Sequence, residues 1–326
     1  MLHGRGPHEV GDSPNPTAQN QDAKMAEPED LPDELRPSEP DAVLDVRSTG
    51  LPTSQSDYAR AELALFYLGL LTLTEVVAIH VDPVWGIAGF AVLVVGLMVG
   101  ALRTAKPSGL SPEGVGLIER RETSLRVALL LPPLIGIASL TLPLQRFDAL
   151  GRSGAVAIPA LFAAFATMRA NGYRRHDAGV SLPRSWRSGL FNLTVAASGI
   201  GLGYLKFRTS GSGSSPPESV SVVALSTAIL LAVGTGFTIE FVYRGILQRA
   251  ATDLFGPLAG VGYVATLSTV PIIGQRSPLD TGLIFLVAVA FGTAVQLTRS
   301  ILGVSIAHAV AILCALVVFP AVAGSG

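Results

Sequence analysis

From residue 62 onward the chain alternates long apolar stretches with short polar joints. Predominantly apolar runs are centred within residues 62–81, 83–102, 125–144, 154–168, 189–206, 220–239, 257–274, 279–297 and 301–322. Runs of about 20 such residues cross a hydrocarbon core of roughly 30 Å as helices. Lipid offers the backbone no hydrogen-bond partner, and the runs lack the strict alternation of barrel strands, so each run is read as a helix. The pattern predicts an all-α, polytopic transmembrane helix bundle of about eight to nine helices. The fourth run is short and contains Pro159, and is expected to be tilted or re-entrant.

Composition agrees with the pattern. Of 326 residues, 49% are hydrophobic and only 14% charged, and the mean hydropathy is +0.50, which a water-soluble domain of this size does not need. Residues 1–57 differ in kind. They are rich in Pro, Ser, Asp and Glu, with clusters such as Glu27-Pro28-Glu29-Asp30, and hold too few large apolar residues to offset the entropy of folding. They are expected to form a disordered acidic tail, with no removable signal peptide. Three parts follow: the tail 1–57, the N-terminal transmembrane helices 58–235 and a C-terminal transmembrane core 236–322.

Basic residues set the expected orientation. Arg103, Lys106, Arg120 and Arg121 follow the second run, and Arg169, Arg174, Arg175, Arg184 and Arg187 follow the fourth. Both loops are expected on the cytoplasmic side of a cell membrane, which places the N-terminus inside and the Gly/Ser/Pro-rich loop Thr209 to Ser219 outside. An odd number of spans would put the C-terminus outside. The basic residues are short membrane-flanking groups without interleaved aromatics, so nucleic acid is not an expected partner.

Against this background Glu240 and Arg244 stand out, because they put opposite charges into one of the most apolar regions of the chain. An ionisable group at membrane depth survives only when paired or facing a protein interior. A spacing of four puts both on one helix face, with the carboxylate N-terminal, the favourable order for an ion pair. His308 is a second candidate, either as a neutral ring bonded to a backbone carbonyl or to Glu240, or as a ligand. A metal would need several donors converging, and only Glu240 and Glu75 are available, so no metal or other cofactor is expected. Glu75 is expected to line the same cavity or to pair with an arginine of another helix, and His80, beside Asp82-Pro83, to sit at the membrane interface. The single cysteine, Cys314, has no partner in the chain and reads as a small buried hydrophobe. Glycines 234, 236, 256, 260, 262, 282, 292 and 303 are expected to permit close helix packing.

Four blocks in the last third carry a resemblance: Thr238-Ile239-Glu240-Phe241-Val242-Tyr243-Arg244-Gly245-Ile246-Leu247-Gln248, then Tyr263-Val264-Ala265-Thr266-Leu267, then Phe285-Leu286-Val287 with Phe291-Gly292, and Leu302-Gly303-Val304-Ser305-Ile306-Ala307-His308. In order and spacing they resemble the CPBP family of intramembrane proteases, which includes CAAX-prenyl and bacteriocin-processing peptidases. The resemblance implies a cavity within the bilayer built from EExxxR, FxxxH and HxxxN motifs on three helices. There the first Glu and the second-motif His would activate water, and the third-motif His and Asn would hold the oxyanion.

The sequence departs from that pattern where water would be activated. The first Glu falls on Ile239, leaving Glu240 and Arg244. The second motif falls on Ser268 and Ile272, with no histidine between Glu240 and His308. His308 is retained, but the Asn four residues later is Ile312. Adjacent helix residues point roughly 100° apart, so Glu240 is not expected to stand in for the lost acid. Glu240, Arg244 and His308 are therefore read as vestigial catalytic positions. Two functions follow: a non-catalytic member that binds a membrane protein or lipidated peptide, or an active endopeptidase that uses Glu240 and His308 on water. Transport is a weaker third reading, since no internal repeat is seen.

Overall fold

The computed structural model describes residues 55–104, 113–183, 185–209, 221–273 and 277–324. The acidic segment 1–57, up to its last three residues, lies outside them, as does the loop 209–219 apart from Thr209. Among the described residues every regular element is helical: α1 (Gln55–His80), α2 (Pro83–Thr104), α3 (Glu113–Ala128), α4 (Leu131–Thr141), α5 (Ala149–Ala170), α6 (Trp186–Thr209), α7 (Val222–Glu240), α8 (Gln248–Phe255), α9 (Pro257–Thr269), α10 (Pro278–Thr298), α11 (Leu302–Leu313) and α12 (Phe319–Gly324). Short 3₁₀ turns at Leu144–Arg146 and Val270–Ile272 and π-helical segments at Phe241–Leu247 and Cys314–Val318 complete the order.

Eight of these helical stretches are long and apolar enough to cross a membrane, and a ninth, Pro257–Ile272, is apolar but shorter. The protein is an all-α, multi-pass membrane bundle. Two stretches differ from the sequence reading. The fourth run is neither short nor broken: α5 has 22 residues with Pro159 inside it. It begins earlier than its apolar centre because Asp148 caps it, accepting the Gly151 N–H at 2.7 Å. The sixth run does not end near residue 239. It continues through the π segment and α8 as one stretch, Val222–Phe255, of 34 residues.

Local chemistry explains the other boundaries. Ser221 caps α7 and Ser277 caps α10, accepting the N–H of Ala224 and Asp280 respectively, each at 3.1 Å. Pro278 opens α10, where its missing N–H has no helical partner to lose. Gly256 joins α8 to α9 at φ +83°, a conformation that a Cβ would disfavour.

The site is positioned by α11, which lies between α6 and α7. Small residues let it approach closely. A Cβ on Gly236 would come within 2.8–2.9 Å of the α11 backbone at Ala309 and Ser305, and one on Gly203 within 2.5 Å of the Cys314 Cβ. Four of the eight expected packing glycines behave otherwise: Gly234, Gly256, Gly262 and Gly282 have no neighbour within 4 Å of where a side chain would start. At the end of the bundle that carries the basic loop 171–185, that loop is tied to the turn between α10 and α11. Ile301 N–H donates to Gly179 O at 3.0 Å and Ser300 Oγ to Ser181 O at 2.8 Å.

Candidate functional site

The long helix Val222–Phe255 presents Glu240, Arg244 and Gln248 in succession, all within 6% of full burial. The π segment begins directly after Glu240, and its wider i→i+5 turns are closed by the Gln248 N–H bonding to Tyr243 O. Phe241 anchors the segment, with its ring 5.0 Å from Phe165 of α5 and 5.5 Å from Phe237. Gln248 Nε2 donates to Gly292 O of α10 at 2.9 Å, and Arg244 donates from a terminal nitrogen to Ala288 O at 3.4 Å.

Glu240 is 1% exposed and touches both of its sequence-predicted companions. One carboxylate oxygen lies 3.3 Å from Arg244 Nε, and the other 2.8 Å from His308 Nδ1. A carboxylate accepts only, so beside the Arg244 guanidinium the Nδ1–H of His308 is the donor of this bond. The structure thus brings together the three residues that the sequence picked out, across a separation of 68 positions in the case of His308. Ile239 packs against the apolar core, and it is Glu240 that meets His308.

His308 lines a cavity of about 260 Å³ enclosed by α6, α10, α11 and the turn after α9. Its walls include Ile272 and Ile312, together with Leu202, Val287 and Phe291, and its far rim carries Lys206, Thr209 and Asp280. Ser268 is not directed into this space, since its hydroxyl bonds back to Ala265 O at 2.8 Å. The two isoleucines that replace an imidazole and an amide in the resembled motifs therefore border the same hollow as the surviving histidine.

The remaining candidates disperse. Glu75 on α1 lies near Tyr243 and outside the walls of this cavity, and no ion pair with an arginine is seen for it among the described residues. His80 is exposed at the C-terminal end of α1. Cys314 is free and half-buried at the start of the second π segment. Among the described residues no three His, Cys, Asp or Glu side chains converge, so this donor set does not fit a metal ion.

Sequence reasoning missed Gln248. Its spacing from Arg244 repeats that of Arg244 from Glu240, so a polar stripe at i, i+4 and i+8 on an apolar helix was the available signal.

The part of the chain that carries the Arg244–Glu240–His308 cluster, residues 221–314, matches the family described as Rce1-like, type II CAAX prenyl endopeptidase Rce1-like. That match supports a CPBP and CAAX protease relationship for this core. No curated protein and no solved structure matches the chain. The CAAX-protease-like core spans from the first turn of α7 to the end of α11 and so contains every residue of the Arg244–Glu240–His308 cluster, whereas α1 to α6 lie outside the match.

Proposed function

We propose that this membrane protein is a non-catalytic member of the CAAX protease family, a pseudoprotease whose cavity receives a membrane protein or a lipidated peptide. The observation that carries the reading is the placement of Ile272 and Ile312 in the wall beside His308. A hydrolytic site needs a held water and donors aimed at a developing oxyanion. Here aliphatic side chains occupy the two positions from which the family motifs supply an imidazole and an amide. The one buried acid among the described residues is already engaged on both oxygens, and the ion pair it makes accounts for its retention, because removal of either partner strands a charge.

The second reading is an active endopeptidase. It is favoured by the 2.8 Å contact between Glu240 and His308 beside a cavity, an arrangement in which the carboxylate could raise the basicity of the ring toward a water on Nε2. Purified protein incubated with membrane-embedded and prenylated test peptides separates the two. The pseudoprotease leaves all of them uncut, and Glu240→Gln alters stability alone. Cleavage that disappears in a folded Glu240→Gln protein reverses the assignment.

The same reading places the protein in a cell membrane with its N-terminus and the loop 171–185 in the cytoplasm, because that loop concentrates arginines. Thiol labelling of a cysteine introduced at Asp177 in a Cys314→Ser background tests it. Labelling of sealed cells by a membrane-impermeant reagent reverses the orientation.

A further inference from the structure

On the opposite side of Arg244 from the isoleucine-walled cavity lies a second hollow of about 380 Å³, at the end of the bundle that carries the basic loop. Arg244, Arg249 and Arg299 line it, with Ser188 and Gln248. These residues come from α6, the π segment, α8 and the turn after α10, so the fold gathers the donors where no stretch of sequence does.

Its wall is rich in donors. Arginine carries five N–H donors and no acceptor, and three arginines face one space. Several of the buried polar atoms in its wall are unsatisfied: Ser188 Oγ, Arg244 Nε and Arg249 Nε have no hydrogen-bond partner. The carboxylates of Glu240 and Asp253 stand 3.3 and 3.0 Å from the two Nε atoms, close enough for ion pairing but without hydrogen-bond alignment. Both approach at the Nε edge, and one terminal nitrogen of Arg244 is turned to Ala288 O at 3.4 Å. Asp177, the one carboxylate in the wall among the described residues, is occupied. It accepts the Arg174 N–H at 2.8 Å and stands 3.3 Å from His176 Nε2.

Arg299 adds an observation of a different kind. It is the one non-glycine among the described residues at positive φ, +56°, at the C-terminal cap of α10. Glycine adopts that conformation without penalty, and an arginine there costs backbone energy. The cost is coherent if the side chain does something at the groove that its φ angle does not reward.

We propose that this groove is an oxyanion site that takes a phosphate group, with Arg299, Arg249 and the other terminal nitrogen of Arg244 as charged donors and the Ser188 hydroxyl as a neutral one. Planar guanidinium forks match phosphate oxygens two at a time, and a buried hydroxyl without a partner gains one. The phosphate can belong to a soluble ion or to a lipid headgroup, since the groove lies at the end of the membrane-crossing helices. The site is separate from the reading of the isoleucine-walled cavity and stands whether or not that cavity hydrolyses anything.

The test compares wild type with Arg299→Gly and Ser188→Ala by thermal unfolding. Inorganic phosphate is titrated in phospholipid-free detergent, and the proteins are also compared in nanodiscs of phosphatidylcholine with and without phosphatidic acid. Arg299→Gly removes a charge while relieving the backbone, so it is expected to fold at least as well as wild type without ligand. Wild type should show a saturable upward shift with phosphate, with phosphatidic acid or with both. Affinity should fall by about tenfold or more in Arg299→Gly, as expected for loss of a charge-assisted pair, and by less in Ser188→Ala. A shift with phosphate alone assigns a soluble anion, and one with phosphatidic acid alone assigns a headgroup. No saturable shift in either medium, or an equal shift in wild type and Arg299→Gly, overturns the proposal, because generic salt stabilisation acts on both proteins alike.

Discussion

Glu240→Gln removes the charge of a residue that is 1% exposed while keeping its shape and its ability to accept from His308. What remains is Arg244, 6% exposed, with its Nε facing a neutral amide and one backbone carbonyl at 3.4 Å as a polar partner. Stranding one partner of a buried pair costs about 3–5 kcal/mol. The double variant Glu240→Leu with Arg244→Met removes both charges and fills the volume with apolar groups. Replacements of that kind are neutral or stabilising by about 1–4 kcal/mol, offset here by about 1–3 kcal/mol for the His308 Nδ1–H left without its acceptor. The double variant is therefore expected to lie within about 3 kcal/mol of wild type and above Glu240→Gln. Equilibrium unfolding in mixed micelles, carried through a complete double-mutant cycle with Glu240→Leu and Arg244→Met alone, measures the coupling directly. If the double variant loses as much as the sum of the two singles, the charges do not brace each other and the ion-pair explanation of their retention is wrong.

Three further outcomes follow from the geometry. Gly236→Val should destabilise the bundle by about 1–3 kcal/mol or more, because the new side chain meets the α11 backbone rather than a movable side chain; Gly234→Val, with open space around it, should be tolerated in the same unfolding assay. Ile312→Ala should cost about 2 kcal/mol, at the low end for a buried Ile→Ala change, since Ile312 is 5% exposed yet already borders a hollow; a loss near 5 kcal/mol would mean that the hollow is closed in the folded protein. Asp148→Ala should cost about 1 kcal/mol through loss of the cap on α5, and no change on unfolding would show that the helix starts without it.

Much of the bundle is written in the sequence because lipid leaves the backbone one solution per apolar run. Glu240, Arg244 and His308 were legible for the same reason, as polar groups too costly to keep at that depth without partners. The length of α5 was hidden because Gly151, Arg152 and Ser153 read as a joint before the apolar run, and their helical state depends on the Asp148 cap and on the packing of Gly154 against Leu231. The π segment was hidden because Phe241–Leu247 has ordinary α-helical composition; its wider turns reflect partners on α5 and α10 that are remote in the chain. That segment also bears on the argument that Glu240 could not take the place of Ile239, which assumed a uniform helix, whereas the regular α geometry ends at Glu240 itself. The arginine groove was illegible as a unit, since Ser188, Arg249 and Arg299 look like membrane-flanking residues until the fold puts them around one space.

Arg244 borders the donor-rich groove at one end of the bundle, and His308 borders a cavity whose rim, with Lys206, Thr209 and Asp280, lies at the other ends of α6 and α10. The insulation between these two hollows is thus only three side chains deep along the line Arg244, Glu240, His308. A guanidinium does not release its proton under any ordinary condition, so Arg244 is no relay between the two hollows, and the Arg244–Glu240–His308 chain is a fixed partition along that line.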